Sequence, residues 1–220
     1  MKTSKLVKMI TGVALSTALV VTSVAAPAAK KAEAKAKKYK CNLVYMDDAS
    51  KITSFKANNK YSATTTVKNT KGTKRYKVTL KRSNCYKQGT NTKSAKGNMK
   101  YTRVLCLDVV NAVKDHKVKR ADKVNKAGKK VKPTKLKFSN VVIKVDGKKI
   151  KIRQAKLNQG WIEYNTKNYR LDIFNIWNYS ANNYKHGGSN KVLKQRCCVT
   201  KDTVFNFKKS LSVEFSFTIK

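Results

Sequence analysis

The sequence predicts an all-β protein, an antiparallel β-sandwich with long basic surface loops. Apolar and polar residues alternate with period two in several stretches, an Asp-Gly pair separates two of them, and no convincing amphipathic helix interrupts the series. In chain order, Cys41 to Met46 is a short first strand, and Tyr61, Ala63, Thr65 and Val67 make a weak alternating one. Tyr76, Val78 and Leu80 alternate with Lys77, Thr79 and Lys81, as expected of a strand with one wet face. Tyr101 to Val110 is apolar on both faces and predicts a strand covered on two sides. Val141 to Val145 and Lys149 to Arg153 flank Asp146-Gly147, the dipeptide of a tight type I′ turn. That turn places Ile143 opposite Ile150, Val141 opposite Ile152 and Lys144 opposite Lys149, a like-charge pair that costs a few tenths of a kcal/mol or about that. Tyr169 to Trp177 is again apolar on both faces, with Tyr169 in the core. Leu211, Val213, Phe215, Phe217 and Ile219 alternate without a break with Ser212, Glu214, Ser216 and Thr218, the clearest strand in the chain. About eight or nine strands result, the complement of a sandwich. Lys114 to Lys137 and Ser180 to Asp202 are the long loops.

Charge dominates the composition. Of 220 residues, 51 are Lys or Arg and 11 are Asp or Glu, for a formal net charge of +40. A hydrophobic share of 40% still suffices for one packed domain rather than a disordered polycation. Two His and few acids leave little for acid-base catalysis, and the nine Gly form neither GxGxxG nor GxxxxGK, so nucleotide-binding loops are excluded. The chain is not expected to be an enzyme.

Lys2, Lys5 and Lys8 precede an uncharged run from Met9 to Ala29 that ends in small residues, the order of a secretory signal peptide. Ala32-Glu33-Ala34 sets its end at 34, with Ala26-Pro27-Ala28 as the alternative cut at 28. An uncleaved membrane anchor is the competing reading, since the run could just cross ~30 Å of hydrocarbon. The expected division is therefore a signal peptide at 1–34, a basic arm at 35–40 and a single sandwich domain at 41–220. The expected location is outside the cell, secreted or held at the cell surface.

Cys41, Cys85, Cys106, Cys197 and Cys198 would allow two disulfides and one free thiol in an oxidising exterior. Cys106, inside Val104-Leu105-Cys106-Leu107, reads as a buried and unreactive thiol. The adjacent Cys197-Cys198 cannot readily share one tetrahedral zinc. Asp47-Asp48 offers the oxygen chemistry of calcium, but two neighbouring acids do not define a site. No metal or cofactor is assigned.

A strongly basic domain attracts polyanions over a Debye length of about 8 to 10 Å. The secretion signal selects among them against nucleic acid and in favour of wall teichoic acids, acidic polysaccharides and anionic membrane surfaces. With only Arg75, Arg82, Arg103, Arg120, Arg153, Arg170 and Arg196 among the cations, point-charge Lys prevails, which suits loose electrostatic attachment. Trp161, Tyr164, Tyr169, Trp177, Tyr179 and Tyr184 crowd one stretch, and such rings stack on sugar faces. The candidate ligand site comprises Trp161, Tyr164, Asn175, Trp177, Tyr179 and Tyr184. Asn175, polar between Phe174 and Ile176, needs a partner if buried, and sugar hydroxyls would supply one. The expected function is thus non-catalytic attachment to carbohydrate or anionic cell-wall polymer. Two alternatives stand beside it: a purely electrostatic surface protein without a defined site, and a secreted polysaccharide hydrolase acting through Glu163 and Asp172.

Four stretches carry a resemblance: Val104-Leu105-Cys106-Leu107-Asp108-Val109-Val110; Val141-Val142-Ile143-Lys144-Val145-Asp146-Gly147-Lys148-Lys149-Ile150; Asn168-Tyr169-Arg170-Leu171-Asp172-Ile173-Phe174-Asn175-Ile176-Trp177; and Phe207-Lys208-Lys209-Ser210-Leu211-Ser212-Val213 onward. Together they resemble a β-sandwich module of secreted clostridial proteins, often found beside glycoside hydrolase domains and treated as carbohydrate-binding or carbohydrate-binding-like. The resemblance implies a jelly-roll-like sandwich without catalysis and puts Asn175 and Trp177 near the ligand loop. The chain departs from that family in its basicity and in the enlarged loop from Ser180 to Asp202 with Cys197-Cys198.

Overall fold

The computed structural model describes residues 37–55, 63–68, 74–93, 97–112, 136–162, 166–176 and 198–219. The chain divides into two units, Met1–Lys35 and Ala36–Lys220, and the described residues all fall in the second. The expected signal peptide and most of both expected long loops therefore lie outside the described residues.

Among the described residues eleven strands form two antiparallel sheets: β1 Lys38–Asp47, β2 Ile52–Thr53, β3 Thr64–Lys68, β4 Arg75–Lys81, β5 Tyr86–Lys87, β6 Thr102–Val109, β7 Leu136–Val145, β8 Lys148–Lys149, β9 Asn158–Ile162, β10 Tyr169–Asn175 and β11 Ser210–Ile219. The larger sheet runs β5-β2-β1-β6-β10-β9, with β3 also paired to β1; the smaller runs β4-β11-β7-β8. The chain changes sheet between β3 and β4, β4 and β5, β6 and β7, β8 and β9, and β10 and β11. Both sheets bury their inner faces in one core, and the architecture is an all-β sandwich.

The period-two stretches became strands because alternation lets one face pack while the other stays wet. β4 is the plainest case: Tyr76, Val78 and Leu80 are buried while Arg75, Lys77, Thr79 and Lys81 are exposed. Across the core, Phe138 of β7 stacks on Tyr169 of β10 at 5.8 Å and 10° between ring planes, and it also touches Phe215 and Phe217 of β11. Such ring pairs add about 0.5–1.5 kcal/mol each beyond the area they bury. Tyr169 keeps its hydroxyl satisfied by donating to the carbonyl of Leu136 at 2.7 Å.

β1, β6 and β10 are buried on both faces, as their unbroken apolar runs predict for β6 and β10. β1 starts at Lys38, three residues before Cys41, because Tyr39 and Cys41 extend the buried alternation into the basic segment. The Asp146-Gly147 turn forms with φ of 49° and 84°, and Lys144 stands opposite Lys149. The N–H of Ile150 reaches the carbonyl of Ile143 at 3.0 Å, but the ladder stops at Lys149, so Ile152 does not pair with Val141. Instead the chain turns away into a short 3-10 segment at Gln154–Lys156. Neither β9 nor the two-residue strands β2 and β5 showed an alternation in the sequence.

The expected two-disulfide arrangement is not formed among the described residues: Cys41, Cys85, Cys106 and Cys198 are free and buried. Cys197 lies outside the described residues.

Candidate functional site

The outer face of the smaller sheet carries six cations and one acid among the described residues. β11 is its inner strand beside β4 and β7, and its outward residues Ser212, Glu214, Ser216 and Thr218 are small or short except for the one acid. On one flank, β4 presents Arg75, Lys77 and Lys81, opposite Ser216, Glu214 and Ser210 respectively. On the other flank, β7 presents Lys137 opposite Thr218 and Lys144 opposite Ser212, with Lys149 of β8 beyond Lys144. Strands about 4.8 Å apart put the β4 and β7 cations on two rows separated by roughly 10 Å. Lys77, Lys81, Lys137 and Lys149 are exposed, while Ser212 and Ser216 between them are buried.

Glu214 holds this face together. It accepts a hydrogen bond from Lys144 Nζ at 2.7 Å and pairs with Arg75 at 3.5 Å, reaching across from one row to the other. The Lys144 hydrogen bond, with the charges of Lys144, Lys77 and Arg75, keeps its carboxyl below the usual glutamate value against the opposing effect of desolvation. The repulsion expected between Lys144 and Lys149 is relieved the same way, by an acid on the neighbouring strand. Sequence reading noted the lysines of β4 and the hairpin singly; that they share one face needed the pairing of β4 and β7 to β11.

The outer face of the larger sheet is different: it is closed, with a buried apolar cluster of Val44, Val104 and Cys106 beside paired polar groups. Register places Asn42, Asp108 and Arg170 in one row across β1, β6 and β10, and Cys106 beside Asp172 in the next. Arg170 forks onto Asp108 with two bonds of 2.7 Å, and Asp108 is fully buried. One oxygen of Asp172 accepts from the Cys106 thiol at 2.9 Å and from Asn175 Nδ2 at 3.0 Å. Burial pushes the Asp172 carboxyl up, against the pull of Arg170 and of those two hydrogen bonds. Burial likewise raises the Cys106 thiol well above its ordinary value.

Of the sequence-predicted ligand residues, Asn175 is therefore an interior group whose amide turns to Asp172. It reaches that position because a bulge between Asp172 and Phe174 shifts β10 against β6, which sends Phe174 to the core and Asn175 to the same face as Asp172. Trp161 holds a backbone position in β9 opposite Arg170. Tyr164, Trp177, Tyr179, Tyr184 and Glu163 lie outside the described residues. The carboxylate of Asp47 accepts backbone N–H groups from Ser50, Lys100 and Tyr101, and Asp48 pairs with Arg103 at 3.2 Å. N–H donors converging on a carboxylate are a loop brace rather than the oxygen shell of a cation. Among the described residues no group of His, Cys, Asp and Glu is placed to hold a metal ion.

Comparisons with family models, with curated proteins and with solved structures find no match for this chain.

Proposed function

We propose that this is a non-catalytic binding protein of the cell exterior that attaches to anionic cell-wall polymer through its basic surface, on a sandwich of jelly-roll-like kind. The observation that carries the reading is the outer face of the smaller sheet, where Arg75, Lys77, Lys81, Lys137, Lys144 and Lys149 face one acid, Glu214. A flat sheet face with exposed cations attracts a polymer without enclosing it, and nothing in that arrangement positions a nucleophile or a proton donor against a bond. The leader-like N-terminus and the resemblance to secreted clostridial modules support the compartment. Retention on isolated anionic cell walls and on insoluble neutral glycans, titrated from low salt to about 1 M, where the Debye length is ~3 Å, tests the reading. Binding to the anionic walls alone, lost as salt rises, is the expected result. No retention on anionic walls at low salt would overturn it. Salt-resistant retention on neutral glycan that disappears in Trp161→Ala or Trp177→Ala would move the function to the aromatic stretch.

A further inference from the structure

We infer that the outer face of the smaller sheet is a track for one chain of an acyclic polyol-phosphate polymer, laid lengthwise over β11 between the cation rows of β4 and of β7 with β8. The inference rests on the polyanion reading above and adds the polymer's chemistry and its course. The rows stand roughly 10 Å apart, which admits a single chain between them. Ser212, Ser216 and Thr218 between the rows have short side chains, so the polymer runs above them at the level of the lysine ends. No outward residue described on β4, β7, β8 or β11 is aromatic. Single-stranded nucleic acid is held on aromatic platforms, and sugar rings also favour them, so the face suits a polymer without rings. Five of the six cations are Lys, a point charge that serves tetrahedral phosphate as well as any geometry, whereas planar carboxylates reward the Arg fork. Cations two residues apart along a strand lie about 6.7 Å apart, comparable with the repeat of an extended glycerol-phosphate chain. The ten residues of β11 give the track a length of about 30 Å, room for about five phosphates. Glu214 is the unfavourable group in the middle of the track, retained because it ties Lys144 to Arg75.

The test is a titration of the purified protein with fluorescent glycerol-phosphate chains of graded length at ~0.15 M salt. Three double variants remove equal charge: Lys77→Gln with Lys81→Gln, Lys137→Gln with Lys149→Gln, and, away from the track, the exposed pair Lys51→Gln with Lys87→Gln. Each track pair should weaken binding about tenfold and the control pair about twofold or less, because only the former lose phosphate contacts. Glu214→Gln should tighten binding, which gives a gain-of-affinity readout that a misfolded variant cannot mimic. Affinity should level off near five phosphates. Equal losses in all three double variants would overturn the track while leaving polyanion attachment intact. Tighter binding of oligothymidine or of polygalacturonate of matched charge would overturn the polymer chemistry. Absence of binding to every polyanion, even at low salt, would instead defeat the polyanion reading itself.

Discussion

The carboxylate of Asp146 sits at the tip of the β7–β8 hairpin and accepts backbone N–H bonds from Lys208, Ser210 and Lys209 at 2.9, 2.9 and 2.7 Å. Desolvation alone would raise its titration point, but those donors outweigh it and the group is held below the ordinary aspartate value. Ionised Asp146 therefore stabilises the fold above its unfolded-state value of ~3.9, and that contribution fades as pH falls through the lower folded-state value. Asp146→Asn keeps the Asn-Gly turn and removes only the charge. It should cost about 1–2 kcal/mol at neutral pH, from hydrogen bonds to a charged acceptor. Urea unfolding of both proteins from neutral pH downward checks the sign: the difference should shrink as pH falls below ~4, and a difference that grows there would refute the assignment. The turn itself was legible in the dipeptide. The brace was not, because its donors lie 62, 63 and 64 residues further along the chain. Asn175 shows the same limit: its need for a partner could be read from its neighbours, but Asp172 as that partner depended on the bulge.

β7 shows how one element is finished by others. Its side away from β11 pairs with β8 only at Lys144 and Val145, which leaves an open edge along its first half. Gln159 closes that edge, accepting from the N–H of Phe138 at 2.8 Å and donating to its carbonyl at 3.2 Å, while Gln154 donates to the carbonyl of Val141 at 2.7 Å. Between these points Asn140 adopts φ of 52° at a bulge, a conformation Asn tolerates and β-branched residues resist. Gln159→Ala should cost about 1–2 kcal/mol and leave the backbone of Phe138 available to another chain. A lowered urea midpoint together with concentration-dependent light scattering is the expected outcome; an unchanged midpoint would show that water replaces the amide. Asn158-Gln159-Gly160 has no alternation to mark it as strand, so β9, and with it this edge closure, escaped sequence reading.

At the scale of the molecule, one core joins both sheets, a second apolar cluster of Val44, Val104 and Cys106 lies on the outer face of the larger sheet, and the smaller sheet carries six cations outside. The thiols are buried in these clusters. Burial raises Cys85 and Cys198 to about 11 and pushes Cys41 and Cys106 well above the ordinary thiol range. Since the thiolate is the reactive form, Cys41, Cys85, Cys106 and Cys198 should resist iodoacetamide in the native protein at about pH 8 and react fully in urea. Peptide mapping after each treatment gives the answer, and native-state labelling of any of these residues would contradict the burial described here.

Period-two alternation, composition and the Asp-Gly pair were enough to determine a basic all-β protein, the seven longest-patterned strands among its elements and the inward faces of β4 and β11. These are local properties, since a strand's two faces are set by successive residues and a tight turn by its own dihedral preferences. Which strands lie side by side was decided only in the tertiary structure. The shared cationic face needs β4 and β7 on either side of β11, and the buried pairs of Asp108 with Arg170 and Asp172 with Asn175 need β6 and β10 in register with a bulge at one place. Hydrogen bonds between strands distant in sequence fix those neighbours, and the backbone groups that make them are the same in every residue, so the side-chain pattern of one strand does not say which other strand it meets.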